Sequence, residues 1–275
     1  MIYALIVIYN KHILDSKTFK SIEKYLDKIN LIVFDNSIKD FKNKEYCRKN
    51  NIKYVSLNKN IGLSKAYNYI IENIKFKDND YIIILDDDTQ LNKSYFIESF
   101  KLISKKEYDI ILPIIKSNDI LISPVNVSFK CRIKTVKNIK EIDLNNISAI
   151  NSGMIINTKI FKKIKYNEEL FLDYVDHDFM RLVRNNNYKI HIMKATIKQN
   201  YSRYQINDIN SELFRFKIFI KDYKIYCKNC NKLWFYYISI FKYRLLESIK
   251  YKSIKFLVIW KKVNLYELFI HNTNL

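Results

Sequence analysis

"DYIIILDDDTQL" occupies residues 80–91. An apolar run, Tyr81 to Leu85, ends on three consecutive aspartates, Asp86, Asp87 and Asp88. Carboxylates this close repel one another unless a cation sits between them or one keeps its proton. Residues i and i+2 of a strand point to the same side, so Asp86 and Asp88 face one way together. A hard divalent cation, Mg2+ or Mn2+, held by one or two carboxylates and completed by substrate phosphates, fits that arrangement. The competing explanation is a polar turn that leads into a helix starting near Lys93.

On either side of this stretch, apolar segments alternate with helical spacing. Ile2–Tyr9, "LIVFDNS" at 31–37 and "IKYVSL" at 52–57 read as strands, buried on both faces where the apolar run is continuous. Residues 16–29 place Phe19, Ile22, Leu26 and Ile29 on one helix face, and a further helix spans about 63–74. Strands alternating with helices predict right-handed βαβ units, an α/β fold and a mostly parallel sheet. Beyond residue 93 the pattern predicts a helix to about 104 and strands near 109–115, 119–129 and 148–157. A short helix from 158, a helix over 173–186, a strand at 188–192 and an all-helical region from Asp208 follow. The division expected is a catalytic domain over 1–205 and a basic, aromatic helical region over 206–275.

Ligands of open α/β sheets bind beyond the carboxyl ends of the strands. Here those ends carry Tyr9-Asn10, Asp35-Asn36-Ser37 and the three aspartates. Asp35 either meets a base or ribose or closes an Asx-turn with Asn36 and Ser37. The chain has only two glycines, Gly62 and Gly153, which suits positions of positive φ or close approach to a ligand. Their scarcity excludes a G-x-G-x-x-G dinucleotide loop. Cys227 and Cys230 form a single C-x-x-C with no second ligand pair at zinc-site spacing, so the four cysteines read as incidental thiols.

With 48 Lys and Arg against 28 Asp and Glu, the 275-residue chain carries a formal charge of +20, a balance that attracts phosphate on nucleotides, nucleic acid or lipid. At 48% hydrophobic it is no disordered protein. A basic surface with 22 Tyr and 17 Phe also suits single-stranded nucleic acid, but acidic clusters at the inferred site mouth would repel it. A metal-dependent nucleotidyltransferase or phosphohydrolase is the other enzyme class that uses paired aspartates. "MIYALIVIYN" lacks a basic n-region and a cleavage site, and no apolar run reaches the roughly 20 residues of a membrane span, so the expected location is the cytoplasm. Residues 211–263 alternate aromatic and basic, with Trp234, Tyr237, Ile238, Phe241 and Leu245 in one apolar stripe. Such a helix suits an anionic membrane surface. The competing occupants of the stripe are the catalytic domain and, in a homodimer, a second subunit.

"IVIYN" at 6–10, "VFDNS" at 33–37, "NKNIGLSKAYN" at 58–68 and "LDDDT" at 85–89 resemble, in order and spacing, the family 2 glycosyltransferases of GT-A fold. "NSGMIINTKIFKKI" at 151–164 and "ELFLDYVDHDFMRLVRNNNYKI" at 169–190 are similar to the rhamnosyltransferase branch. The resemblance implies a nucleotide site built from Tyr9, Asn10, Asp35 at the base, Asn36, Asn60, Gly62, Lys65, Asn68, Asp86 and Asp87. It makes Asp86-x-Asp88 a D-x-D motif with Asp88 the direct metal ligand, and Asp176 the base of an inverting transfer. It places Gly153, Asp173, His177 and Asp178 around donor sugar and acceptor. Where many relatives carry a metal-binding histidine this chain offers Gln199, a weaker oxygen ligand, and Val175 replaces the glutamate before the base. The activity implied is sugar transfer from a dTDP- or UDP-sugar, rhamnose among the candidates, to a surface-polysaccharide or lipid-linked glycan at the inner face of a bacterial membrane. The chemistry agrees: a cation neutralises the leaving diphosphate and a base takes the acceptor proton.

Overall fold

The computed structural model describes residues 1–129, 131–199 and 208–259. Eleven strands are described: β1 (Ile2–Ile8), β2 (Asn30–Asp35), β3 (Lys53–Ser56), β4 (Tyr81–Leu85), β5 (Ile110–Ser117), β6 (Ile120–Ser123), β7 (Val125–Val127), β8 (Ile133–Lys134), β9 (Ile147–Ser148), β10 (Met154–Asn157) and β11 (Ile190–Lys198). The helices are α1 (Lys17–Ile22), α2 (Asn43–Lys49), α3 (Leu63–Asn73), α4 (Lys93–Lys105), α5 (Val175–Asn185), α6 (Ile209–Asn229) and α7 (Leu233–Lys250).

The main sheet runs β11-β5-β10-β4-β1-β2-β3, with β6 beside β5. Strands β1 to β4 pair in parallel, as do β5 and β11, while β10 lies antiparallel between β4 and β5. Two-residue alternation divides β4 between two cores. Ile82 and Ile84 pack with Ala66, Tyr67 and Phe179, whereas Tyr81, Ile83 and Leu85 pack with Phe19, Tyr95 and Phe96. Each fully buried isoleucine contributes about 1.5–3 kcal/mol, so the run before the aspartates is among the most firmly held backbone of the fold.

Three expectations are adjusted. The helix expected over 16–29 stops at Ile22 and tightens into a 3-10 turn at Glu23–Tyr25. The strand expected at 119–129 divides at Pro124 into β6 and β7, since proline has no N–H to give a ladder. The strand expected at 148–157 opens at residues 149–153, where Gly153 sits at φ +81. The boundary expected between 205 and 206 lies outside the described residues.

Candidate functional site

Side chains at the N-terminus of α1 hold the backbone of the aspartate turn. Ser16 Oγ donates to the Asp87 carbonyl at 2.7 Å, and Thr18 Oγ1 donates to the carbonyls of Asp86 and Thr89 while accepting from Thr89 N–H at 2.9 Å. The three carboxylates then diverge. Asp87 forms an ion pair with Lys11 at 2.8 Å. Asp86 accepts from the Ser152 hydroxyl. Asp88 accepts from Gln199 Nε2 at 3.2 Å. A bridge between Gln90 and Lys198 brings the end of β11, and so Gln199, to this turn.

Asp86 is only partly reached by solvent. Burial, with repulsion from Asp88, Asp176 and Asp87, raises its pKa to about 7 against the pull of Ser152. Burial and Asp87 raise Asp88 in the same direction. The phenols of Tyr67 and Tyr166, wholly buried, are pushed up first by burial and then by both Asp86 and Asp176. Asp176, in the first turn of α5, therefore lies near Asp86.

Two observations test whether a divalent cation fits. The site concentrates carboxylates whose charged forms are disfavoured without a counter-ion. Gln199 Oε1 is buried with no hydrogen-bond partner among the described residues. A half-turn of that amide presents the carbonyl oxygen beside Asp88, the orientation a hard cation requires. Among the described residues no three His, Cys, Asp or Glu side chains converge as a self-sufficient metal site. Asp86, Asp88 and Gln199 thus fit a cation whose remaining ligands come from a bound diphosphate.

The other expected residues separate into two groups. Asp35 Oδ1 accepts from Ser37 N–H at 3.0 Å, closing the Asx-turn, and Oδ2 accepts from Asn43 at 2.8 Å and Tyr54 at 3.1 Å. A carboxylate offers about four acceptor positions, so one remains on Oδ1. Asn10, at φ 51, donates its N–H to Ser37 Oγ at 2.8 Å, and Tyr9 is half-buried beside it. Asn36 and Asn60 are joined at 2.9 Å, and Asn60 accepts from Gly62 N–H at 3.0 Å. Lys65 is exposed on α3.

Five of the expected residues make contacts within the protein, and both glycines have the positive φ expected of them. Asn68 spends its amide on the backbone of Tyr166 and on Glu168, fastening α3 to that loop instead of facing a nucleotide. At Gly62, φ is +84 and a Cβ would lie 2.8 Å from the Phe171 carbonyl oxygen, so its close neighbour is protein backbone. Gly153 is packed on Ile197 and Pro113, and its carbonyl accepts from Tyr95 at 2.8 Å. His177 is buried, with Nδ1 2.7 Å from Ser148 Oγ. Asp178, fully buried, turns away from Asp176 to meet Arg181 Nε at 2.9 Å and Asn229 at 3.2 Å.

Asp173 accepts from both terminal nitrogens of Arg215 on α6. Sequence reading missed this arginine and its neighbour Asp222. The buried Asp222 carboxylate accepts N–H groups of Phe171 (3.1 Å), Leu172 (2.8 Å) and Asp173 (2.9 Å). Burial pushes its pKa up to about 6, with repulsion from Asp173 adding to it. Tyr174 stacks on Tyr223 and Tyr226. Helix α6 thus fixes the loop that leads into Asp176. The available signal was an aspartate, Asp222, placed among aromatics in a basic helix. A cavity of about 630 Å3 on the far flank of α5, lined by Arg181, Arg184 and Asn229 among others, contains none of the expected residues.

The sequence model described as glycosyl transferase family 2 matches residues 3–165, more than half of the chain. No curated protein sequence matches. Solved structures of similar fold include S. aureus TarS 1-349 in complex with UDP, at 16% identity and TM-score 0.53 over 83% of this chain and 65% of that one. GalNAc-T7 with UDP, GalNAc and Mn2+ aligns at 15% identity and TM-score 0.56, over 90% of this chain and 57% of that one. Glucosyl-3-phosphoglycerate synthase from Mycobacterium tuberculosis, with Mn2+, UDP and glucosyl-3-phosphoglycerate, aligns at 10% identity and TM-score 0.55, over 84% of this chain and 80% of that one. The chain spans less than two thirds of the TarS and GalNAc-T7 chains, and at these identities the likeness is one of fold, the GT-A architecture.

Proposed function

The chain belongs to glycosyl transferase family 2, and from that premise we propose that it transfers a sugar from a nucleoside-diphosphate sugar to a glycan hydroxyl with inversion. The observation that supports this reading is the nearness of Asp176 to Asp86: its charge raises the pKa of Asp86, and both carboxylates act on the same two buried tyrosines. Asp176 takes the proton of the acceptor hydroxyl as its oxygen attacks the anomeric carbon. The bond from that carbon to the diphosphate oxygen breaks on the opposite side, and its electron pair leaves with the nucleotide. One displacement with one base inverts the configuration.

Asp88 and Asp86, with the Gln199 carbonyl, would hold Mg2+ or Mn2+. When bound, that ion supplies neutralisation of the leaving diphosphate. The remaining acceptor position of Asp35 suits a base N–H, and Asn10, Asn36, Asn60 and Lys65 are the further residues proposed for the nucleotide. UDP in TarS, GalNAc-T7 and the mycobacterial synthase supports a pyrimidine diphosphate donor. The rhamnosyltransferase assignment, with dTDP as the second donor nucleotide, rests on the motifs at 151–164 and 169–190. The acceptor proposed is a surface-polysaccharide or lipid-linked glycan. Among the described residues no helix is long and apolar enough to cross a membrane.

The test is a thermal-shift screen of UDP, dTDP, GDP and CMP, each with and without Mn2+ or Mg2+. A ligand that binds only the folded state raises its apparent stability. A cation-dependent shift with UDP or dTDP is expected. A shift with none of the nucleotides refutes the donor assignment.

A further inference from the structure

Helix α7 is apolar on two faces. Its inner face is satisfied: Tyr236 and Ile240 pack with Tyr223 and Tyr226 of α6, and Tyr223 Oη lies 2.8 Å from Ser239 Oγ. Its outer face holds Trp234, Tyr237, Ile238, Phe241, Leu245 and Ile249, spaced to form one stripe, with Ile238, Phe241 and Ile249 exposed to 64%, 67% and 66%. A contiguous apolar stripe that no other described residue covers, on a charged protein, marks an interaction surface. Lys242 sits beside the stripe on α7, Lys250, Lys252 and Lys255 lie at and just beyond its C-terminal end, all four are exposed, and Glu247 is the only acid from 233 to 259.

The geometry points to an anionic lipid bilayer as the occupant. Pairing this face with a second copy would bring two sets of lysines together, which repels. An anionic headgroup layer instead matches these lysines, while Trp234 and Tyr237 suit the boundary between headgroups and acyl chains. The inference deepens the proposed function and rests on it for its meaning. Helix α6, which backs α7, is bonded through Asp222 and Arg215 to the loop before Asp176. Docking α7 therefore fixes the proposed base relative to the membrane, and the acceptor is one presented at a lipid surface.

The test is co-sedimentation of the full chain with vesicles of phosphatidylcholine alone and of phosphatidylcholine mixed with phosphatidylglycerol. Two double variants accompany it, Ile238→Ser with Phe241→Ser and Lys252→Glu with Lys255→Glu, each checked for folding by its thermal melt. The wild type is expected on the anionic vesicles only. The apolar variant should lose roughly tenfold or more of the partition, and the charge variant at least about fivefold per lysine. Failure of the folded wild type to bind anionic vesicles overturns the proposal, as does unchanged binding by both variants. So does a wild-type dimer, by light scattering, that the apolar variant dissolves. Vesicle binding needs no sugar donor, so its failure leaves the transferase reading intact, and failure of the nucleotide screen leaves vesicle binding intact.

Discussion

Replacing Asp86 by asparagine separates what its carboxylate costs from what it does. In the metal-free protein, burial and the neighbouring Asp88, Asp176 and Asp87 hold this carboxyl at about 7 instead of 3.8. Below about pH 4 the group is protonated in folded and unfolded chains alike, and it contributes no difference. As pH rises towards 7 the unfolded chain loses this proton first. The folded state then binds more protons, so stability falls with rising pH. The full loss is ~4 kcal/mol, since a tenfold change in proton affinity corresponds to about 1.4 kcal/mol, and Asp88 adds in the same direction. Asparagine has no proton to lose and still accepts from Ser152. Asp86→Asn should therefore melt roughly 8–15 °C above wild type near pH 8, with the gap closing towards pH 4. Scanning fluorimetry across that range, with chelator present, measures it. Equal melting of the two proteins near pH 8, or a gap that does not change with pH, refutes the reasoning. The same variant should lose the cation-dependent shift with nucleotide, since the group that destabilises the empty site is one that holds its ligand.

Asp176→Asn should reduce transfer by about 10²–10⁴-fold, the usual yield of a general base, while the nucleotide-dependent thermal shift persists; near-normal turnover would remove Asp176 from the base role. Asp222→Ala leaves three N–H groups of the 171–173 loop without their acceptor. It should cost ~3 kcal/mol or more in urea unfolding and lower kcat more than it changes donor affinity, at about 1–3 kcal/mol per stranded group. A variant as stable and active as wild type would show that α6 does not support the site. Gly62→Ala forces a Cβ to 2.8 Å from the Phe171 carbonyl oxygen at φ +84, and should destabilise by roughly 1–3 kcal/mol; a melt within experimental error of wild type would contradict the close packing of that loop.

The sheet was largely legible because its strands are short apolar runs with polar ends. Tyr81–Leu85 carries its burial on both faces in its composition, and β4 has those bounds. The period of α3 likewise predicted Leu63–Asn73 to within a residue. The apolar stripe of α7 follows from helical spacing alone. Whether it is covered does not, because periodicity gives a face and says nothing of what packs on it.

The site residues divide along the same line. Three adjacent aspartates are plain in the sequence, but the expectation that Asp86 and Asp88 face one way fails: β4 ends at Leu85, the chain turns, and the two carboxylates go to Ser152 and Gln199. Asp173, His177 and Asp178 look equivalent to Asp176 in sequence, yet their partners lie up to 51 residues away, on α6 and at Asn229, or at Ser148. Asp222 reaches the 171–173 loop across a similar distance. Sequence determined the strands, the acidic turn and the family, because these depend on residues close along the chain. Tertiary structure decided which acid faces the site and which is spent on scaffolding, because a carboxylate's role is set by the donors and charges folding brings to it.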